Sequence, residues 1–143
     1  PQHLLKNYQN FCGFYSTTVS KIQQEVLHEF IRGGYFGRHL NKMRGIYKNK
    51  HDFLVSELKK RPWVENIAGD NAGLHVLVHV DTQMNEAELC ERAAEQGIHL
   101  MGISEHYIHK PPVSKPVILL GYGKPDEKKI LEGLNRLEQI ILK

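Results

Sequence analysis

Ser20-Lys21 places a primary amine beside a hydroxyl. A lysine that gives up its proton easily can attack a carbonyl carbon and form a Schiff base. Lys21, however, leads into Ile22-Gln23-Gln24, a helix-like run in which an exposed lysine is the default reading. The hydroxyl run Tyr15-Ser16-Thr17-Thr18 suits a phosphate, because hydroxyls and the free amides of a helix start both donate to anions. The same residues serve equally as an ordinary helix N-cap. Gly102-Ile103-Ser104-Glu105-His106-Tyr107 follows a short strand pattern, so Ser104 and Tyr107 are either ligand contacts or the polar tip of a loop. The histidines do not form a metal set. His75 and His79 share a strand face but lie about 13 Å apart along it, and His106 and His109 have no Cys or acid in ligand spacing. Cys12 and Cys90 fall in no metal or redox spacing and read as reduced thiols of a cytoplasmic protein.

The elements that must position these groups follow from periodicity. Residues 1–13 have no clear period and read as an irregular lead-in. A helix is expected to start within 16–20 and to run through Val26, Leu27 and Phe30. Gly33-Gly34 interrupts it, since glycine supplies the left-handed backbone that ends one helix before another begins. A long amphipathic helix then carries Phe36, Leu40, Met43, Tyr47, Leu54 and Leu58 at 3-and-4 spacing and stops before Pro62. Residues 74–80 alternate, with Leu74, Val76, Val78 and Val80 on one face and His75, Leu77 and His79 on the other, as in a half-buried strand. Asn85 with Glu88 opens a helix over 85–96 that Gly97 stops. Residues 98–101 and 117–122 read as strands, separated by a loop marked by Pro111, Pro112 and Pro116. Pro125, placed at a first helical position, with Asp126 and Glu127 opens a last helix whose stripe is Ile130, Leu131, Leu134, Leu137, Ile140 and Ile141.

A chain of 143 residues is the size of one domain with a real core. Its 41% hydrophobic and 24% charged residues are ordinary for a globular protein, and no apolar run approaches a membrane span or a signal peptide. The net charge of +3 is too small to argue for nucleic acid. Residues 38–61 hold eight Lys or Arg against two acids, but such a run on a long helix is ordinarily a solvated face.

Phe30, Gly34, Phe36, Arg38-His39, Met43-Arg44, Tyr47 and Asp52 form a pattern that resembles the C-terminal half of the aminotransferase-like module in MocR-type transcriptional regulators. These are GntR-family winged-helix proteins fused to a fold-type-I pyridoxal-phosphate (PLP) domain. The likeness continues in Tyr15-Ser16-Thr17, Gln23-Gln24, Ala72-Gly73-Leu74-His75 and Leu120-Gly121-Tyr122-Gly123, and so covers nearly the whole chain.

The resemblance implies an α/β (α+β) fold: the small domain of an aminotransferase-like protein, a small, largely antiparallel sheet covered by helices and preceded by a long linking helix. Residues 1–34 would be the tail of the large domain and a connecting helix, and 35–143 the long helix plus the small domain, in one compact unit. The family's cofactor lysine would lie upstream of Pro1. PLP is therefore expected in the parent and not stably on this chain, and no catalytic residue is assigned here. Ser16 and Thr17 match a loop that approaches the neighbouring subunit's cofactor phosphate in a homodimer. Ser104 and Tyr107 match a segment lining the substrate, or effector, side of the pocket. His75 falls in a Gly-Leu-His pattern with a structural or pocket-wall role.

Leu119 departs from the family pattern. Many members carry an arginine there, whose planar fork holds an amino-acid carboxylate, and this chain has no arginine between Arg92 and Arg136. The resemblance thus implies an effector-sensing part of a transcriptional regulator, with a small amine or amino acid as effector and DNA bound through a winged helix not in this sequence. The alternative is the C-terminal domain of a class I/II aminotransferase acting on amino acids. A self-sufficient small α/β binding module is a third reading.

Overall fold

The computed structural model describes residues 2–12, 19–69, 73–108 and 115–142. The chain falls into two compact units, Pro1–Lys42 and Met43–Lys143. Among the described residues, five helices and four strands run in the order α1 (Gln2–Cys12), α2 (Lys21–Arg32), α3 (Tyr35–Leu58), β1 (Val64–Ala68), β2 (His75–Val80), α4 (Glu86–Glu95), β3 (Met101–Gly102), β4 (Val117–Gly121) and α5 (Glu127–Ile141). A 3-10 turn, Ile103–His106, follows β3.

In the first unit, α1 replaces the irregular lead-in expected for residues 1–13. Leu4, Tyr8 and Phe11 recur at helical spacing, but no capping residue announces the start, and polar residues interleave the stripe. Helix α2 is closed by a capping box: the Ser20 hydroxyl accepts from the Gln23 amide at 3.3 Å, and the Gln23 side chain accepts from the Ser20 amide at 3.2 Å. Gly34 takes φ of 71° at the break before α3, the geometry that glycine adopts freely. Phe30 stacks on Tyr35 at 6.2 Å between centroids and meets Phe36 edge-on at the same distance. Neither α1 nor α2 buries a residue, so Phe11 (74% exposed) and Ile22 (77%) present apolar surface outward.

The second unit is built on one antiparallel sheet in the order β1-β2-β4-β3. Val76, Val78 and Val80 are fully buried, as their alternation demands. With Ile118 and Tyr122 they form one face, covered by Leu54 and Leu58 of α3, Leu89 and Ala93 of α4, and Leu134 and Leu137 of α5. Asn85 caps α4 through the Glu88 amide at 2.9 Å, and Asp126 caps α5 through the Lys129 amide at 2.9 Å. Pro125 accordingly stands before the cap and not at the first helical position. Arg61 ties the chain beyond α3 to α5 through Glu138 and Asn135.

Two further expectations change. Strand β1 was not foreseen, because Glu65 and Asn66 break the alternation. The ladder itself slips between Val64 and Asn66, where a bulge absorbs the irregularity. Only Met101 and Gly102 pair with β4, so the strand expected over 98–101 shrinks to its last position plus one.

Trp63 is the one tryptophan and is buried to 1% exposure in this core. Leu137→Ala should cost about 2–5 kcal/mol, the range for a truncated core leucine. Leu142→Ala, at a 62% exposed position, should stay within about 0.5 kcal/mol. Denaturant titrations followed by Trp63 fluorescence measure both.

Candidate functional site

Cross-strand partners share a face, so the register defines the side of the sheet opposite the core. His75 pairs with Gly121, Leu77 with Leu119 and His79 with Val117, while Met101 pairs with Leu119 from the other side. Asn66 and Ala68 of β1 extend the row opposite His79 and Leu77. Ala68, Leu77, Leu119 and Met101 thus run across the sheet as an apolar row, with the two histidines on β2 at either side of Leu77.

Beside this row, Glu86 fixes the turn that follows β3. One carboxylate oxygen accepts from the Ser104 amide at 3.0 Å and from the Ser104 hydroxyl, and the other accepts from the Val117 amide at 3.4 Å. A single side chain of α4 therefore satisfies donors on the 3-10 turn and on β4. Gly102 is required by the same contact, because any Cβ there would run into the Glu86 carboxylate. The Ser104 hydroxyl is committed inward to Glu86, whereas Tyr107 is exposed. His106 approaches the Met101 sulfur at 3.1 Å.

The sequence placed Ser104 and Tyr107 near one another, and the structure sets them on and just after the same turn. Ser16 and Thr17 lie outside the described residues. Lys21 is exposed in the first turn of α2. Glu86 was not singled out from the sequence: beside Asn85 it reads as a first-turn acid, and nothing local links it to residues 104 and 117. No group of three His, Cys, Asp or Glu that could hold a metal occurs among the described residues, and no described helix is long and apolar enough to cross a membrane.

Burial pushes the Cys90 thiol above its ordinary value, and the charges of Glu86 and Glu105 push it further, against an opposing backbone hydrogen bond from Gly102. These contacts favour the neutral thiol of Cys90 over its thiolate. Because its pKa is raised in the fold, the associated stability is present below the ordinary thiol value and is lost as pH rises through the folded value.

No protein-family model matches this sequence. Among curated proteins, the HTH-type transcriptional regulator YdeL of Bacillus subtilis is 35% identical over 140 residues, 96% of this chain and 30% of that protein. The probable rhizopine catabolism regulatory protein MocR of Rhizobium meliloti is 29% identical over 125 residues, 86% of this chain and 25% of that protein. An aromatic-amino-acid aminotransferase of Thermococcus litoralis is 22% identical over 124 residues, 86% of this chain and 29% of that protein. The chain therefore spans less than a third of the length of the curated relatives it matches. Among solved structures, the kynurenine aminotransferase of Pyrococcus horikoshii, in complex with PMP and KYN as substrates and KYA as products, superposes with a TM-score of 0.68 at 25% identity. The match covers 80% of this chain and 28% of that one. An archaeal alanine:glyoxylate aminotransferase gives 0.70 at 22% identity over 85% of this chain and 30% of that one, a likeness of fold.

Two measurements test the Glu86 brace. In a Cys12→Ser background, Glu86→Gln should lower the Cys90 titration midpoint read by thiolate absorbance, since one of the raising charges is gone. Glu86→Ala should leave three donors without an acceptor, cost about 1–3 kcal/mol and speed hydrogen exchange at the Ser104 and Val117 amides.

Proposed function

This chain is a relative of MocR-type HTH transcriptional regulators, and we propose that it is the C-terminal, aminotransferase-like part of one. The observation that carries the reading is the order of the matches: a regulator is 35% identical across nearly all of this chain, whereas a curated aminotransferase reaches 22%. The fold is that of an aminotransferase, and fold by itself does not decide between sensing and turnover.

In this reading, residues 1–34 are the tail of the large PLP domain and a connecting helix, and residues 35–143 carry the long helix and the small domain. The exposed apolar faces of α1 and α2 support it, because surface of that kind is ordinarily covered by further protein. The parent binds DNA through a winged helix, acts as a cytoplasmic homodimer and reads a small amine or amino-acid effector. Ser16 and Thr17 approach the partner's cofactor phosphate. The open sheet face and the turn at 103–106 border the effector pocket, with Tyr107 as the available polar contact and Ser104 held back by Glu86.

PLP would supply the parent with an aldehyde that condenses with amines. Three lysines of this chain are already committed or lie open to solvent. Lys21 is exposed beside a Ser20 hydroxyl already used for capping, Lys50 donates to the Gly123 carbonyl at 3.0 Å, and Lys115 is paired with Glu65 and Asp81. Leu119 bears on turnover. It lies between Leu77 and Met101 in an apolar row, where no guanidinium grips a substrate carboxylate. That favours a sensor over a transaminase of ordinary α-amino acids.

Reading the coding frame upstream of Pro1 tests the assignment. A winged-helix segment followed by a PLP-lysine motif is the expected result, and a PLP domain without a DNA-binding segment would make the parent an enzyme. On the chain itself, PLP followed by borohydride should give no stoichiometric label at a single lysine. Site-specific labelling of Lys21 by mass spectrometry would overturn the view that the cofactor lysine lies elsewhere.

A further inference from the structure

Strand β3 pairs with β4 only at Met101–Leu119 and Gly102–Ile118. Beyond that point Leu120 and Gly121 have no ladder partner on the β3 side among the described residues. Residues 98–100, which belong to no strand, and α5 close a groove with them of about 210 Å³. Its wall is hydrocarbon, from Leu54, Leu100, Leu120, Ile130 and Leu134. Gly133 is part of the lining on the α5 side, and a Cβ built there would meet nothing within 4 Å, so the position has room for a side chain.

The lining holds no acid. Its one formal charge is Lys129, in the first turn of α5, which has no ion-pair partner among the described residues; His99 adds a polar ring. An ammonium outside any ion pair, beside a hydrocarbon trough, complements an anion with an apolar body; the nearest carboxylate, Asp126, is engaged with the Lys129 amide at 2.9 Å. The volume admits one small ring or a branched alkyl group. A phosphate offers more acceptors than one ammonium satisfies and gains nothing from leucine walls.

We propose that this groove binds a small apolar carboxylate, an aryl or branched alkyl acid, with its hydrocarbon against Leu120, Ile130 and Leu134 and its carboxylate at Lys129. The groove opens at the unpaired end of β4, and the site does not depend on the regulatory reading above.

The test is a ¹⁵N-detected NMR titration of the 143-residue chain with 4-phenylbutyrate and, separately, with its uncharged amide. The acid should give saturable shifts confined to residues 98–100, 119–121 and 129–134. It should bind about fivefold tighter than the amide, the upper end for an exposed ion pair. Lys129→Gln should bring the two probes to equal affinity. Gly133→Leu, which helix propensity favours and which should therefore keep or raise Tm, should fill the trough and abolish both. The proposal fails if the acid produces no saturable shift, if the wild-type chain binds acid and amide equally, or if a folded Gly133→Leu chain binds as the wild type does.

Discussion

The second unit depends on one constraint, the strict alternation along β2. Val76, Val78 and Val80 are removed from water completely, each worth roughly 1.5–3 kcal/mol of burial, and a shift of register by one residue would turn all three outward. Their pairing with Leu120 and Ile118 carries the division into β4, and the pairing of Val64 and Ile67 with Val80 and Val78 carries it into β1. What is left on the reverse side, His75, Leu77, His79 and Leu119, is therefore set by the same choice that built the core.

Polar contacts then hold the edges in place. Glu86 joins α4 to the 3-10 turn and to β4, and Lys115 bridges Glu65 and Asp81, which come from β1 and from just beyond β2. The Tyr122 hydroxyl donates to the Gly73 carbonyl at 2.6 Å, fixing the approach to β2, and His51 lies edge-on to its ring at 5.5 Å. Burial raises the Tyr122 phenol above its ordinary value, so that contact also favours the folded state until alkaline pH. The Trp63 indole N–H and the His51 Nε2 are buried without a partner among the described residues, a local cost of order 1–3 kcal/mol each that the surrounding packing outweighs.

Much of this was legible in the sequence, and the misses have physical causes. Strand β2, the capped start of α4 and the break at Gly34 follow from local signals: a period of two, a side-chain acceptor three residues from an amide, a left-handed glycine. Strand β1 exists because β2 offers it a ladder, and its own residues 65 and 66 argue against it. Helix α1 has the right spacing but no cap, so its start carries no mark. For the candidate site, the turn holding Ser104 and Tyr107 could be placed, but the Glu86 brace joins residues 18 and 31 positions apart. Contacts of that separation leave no periodicity to read.

Strand β4 shows how one short segment serves several surfaces. Its even-numbered residues Ile118 and Leu120 face the core, yet Leu120 also reaches the groove because β3 ends too soon to cover it. Leu119 faces the other way, into the apolar row, and its backbone is held by partners on both sides. An arginine at 119 would have to lay its stem over Leu77 or Met101 and carry its head to solvent or to an anion. With leucine the row is continuous and carries no charge of its own. The polar side chains nearest the row are His75 and His79, on either side of Leu77 on β2.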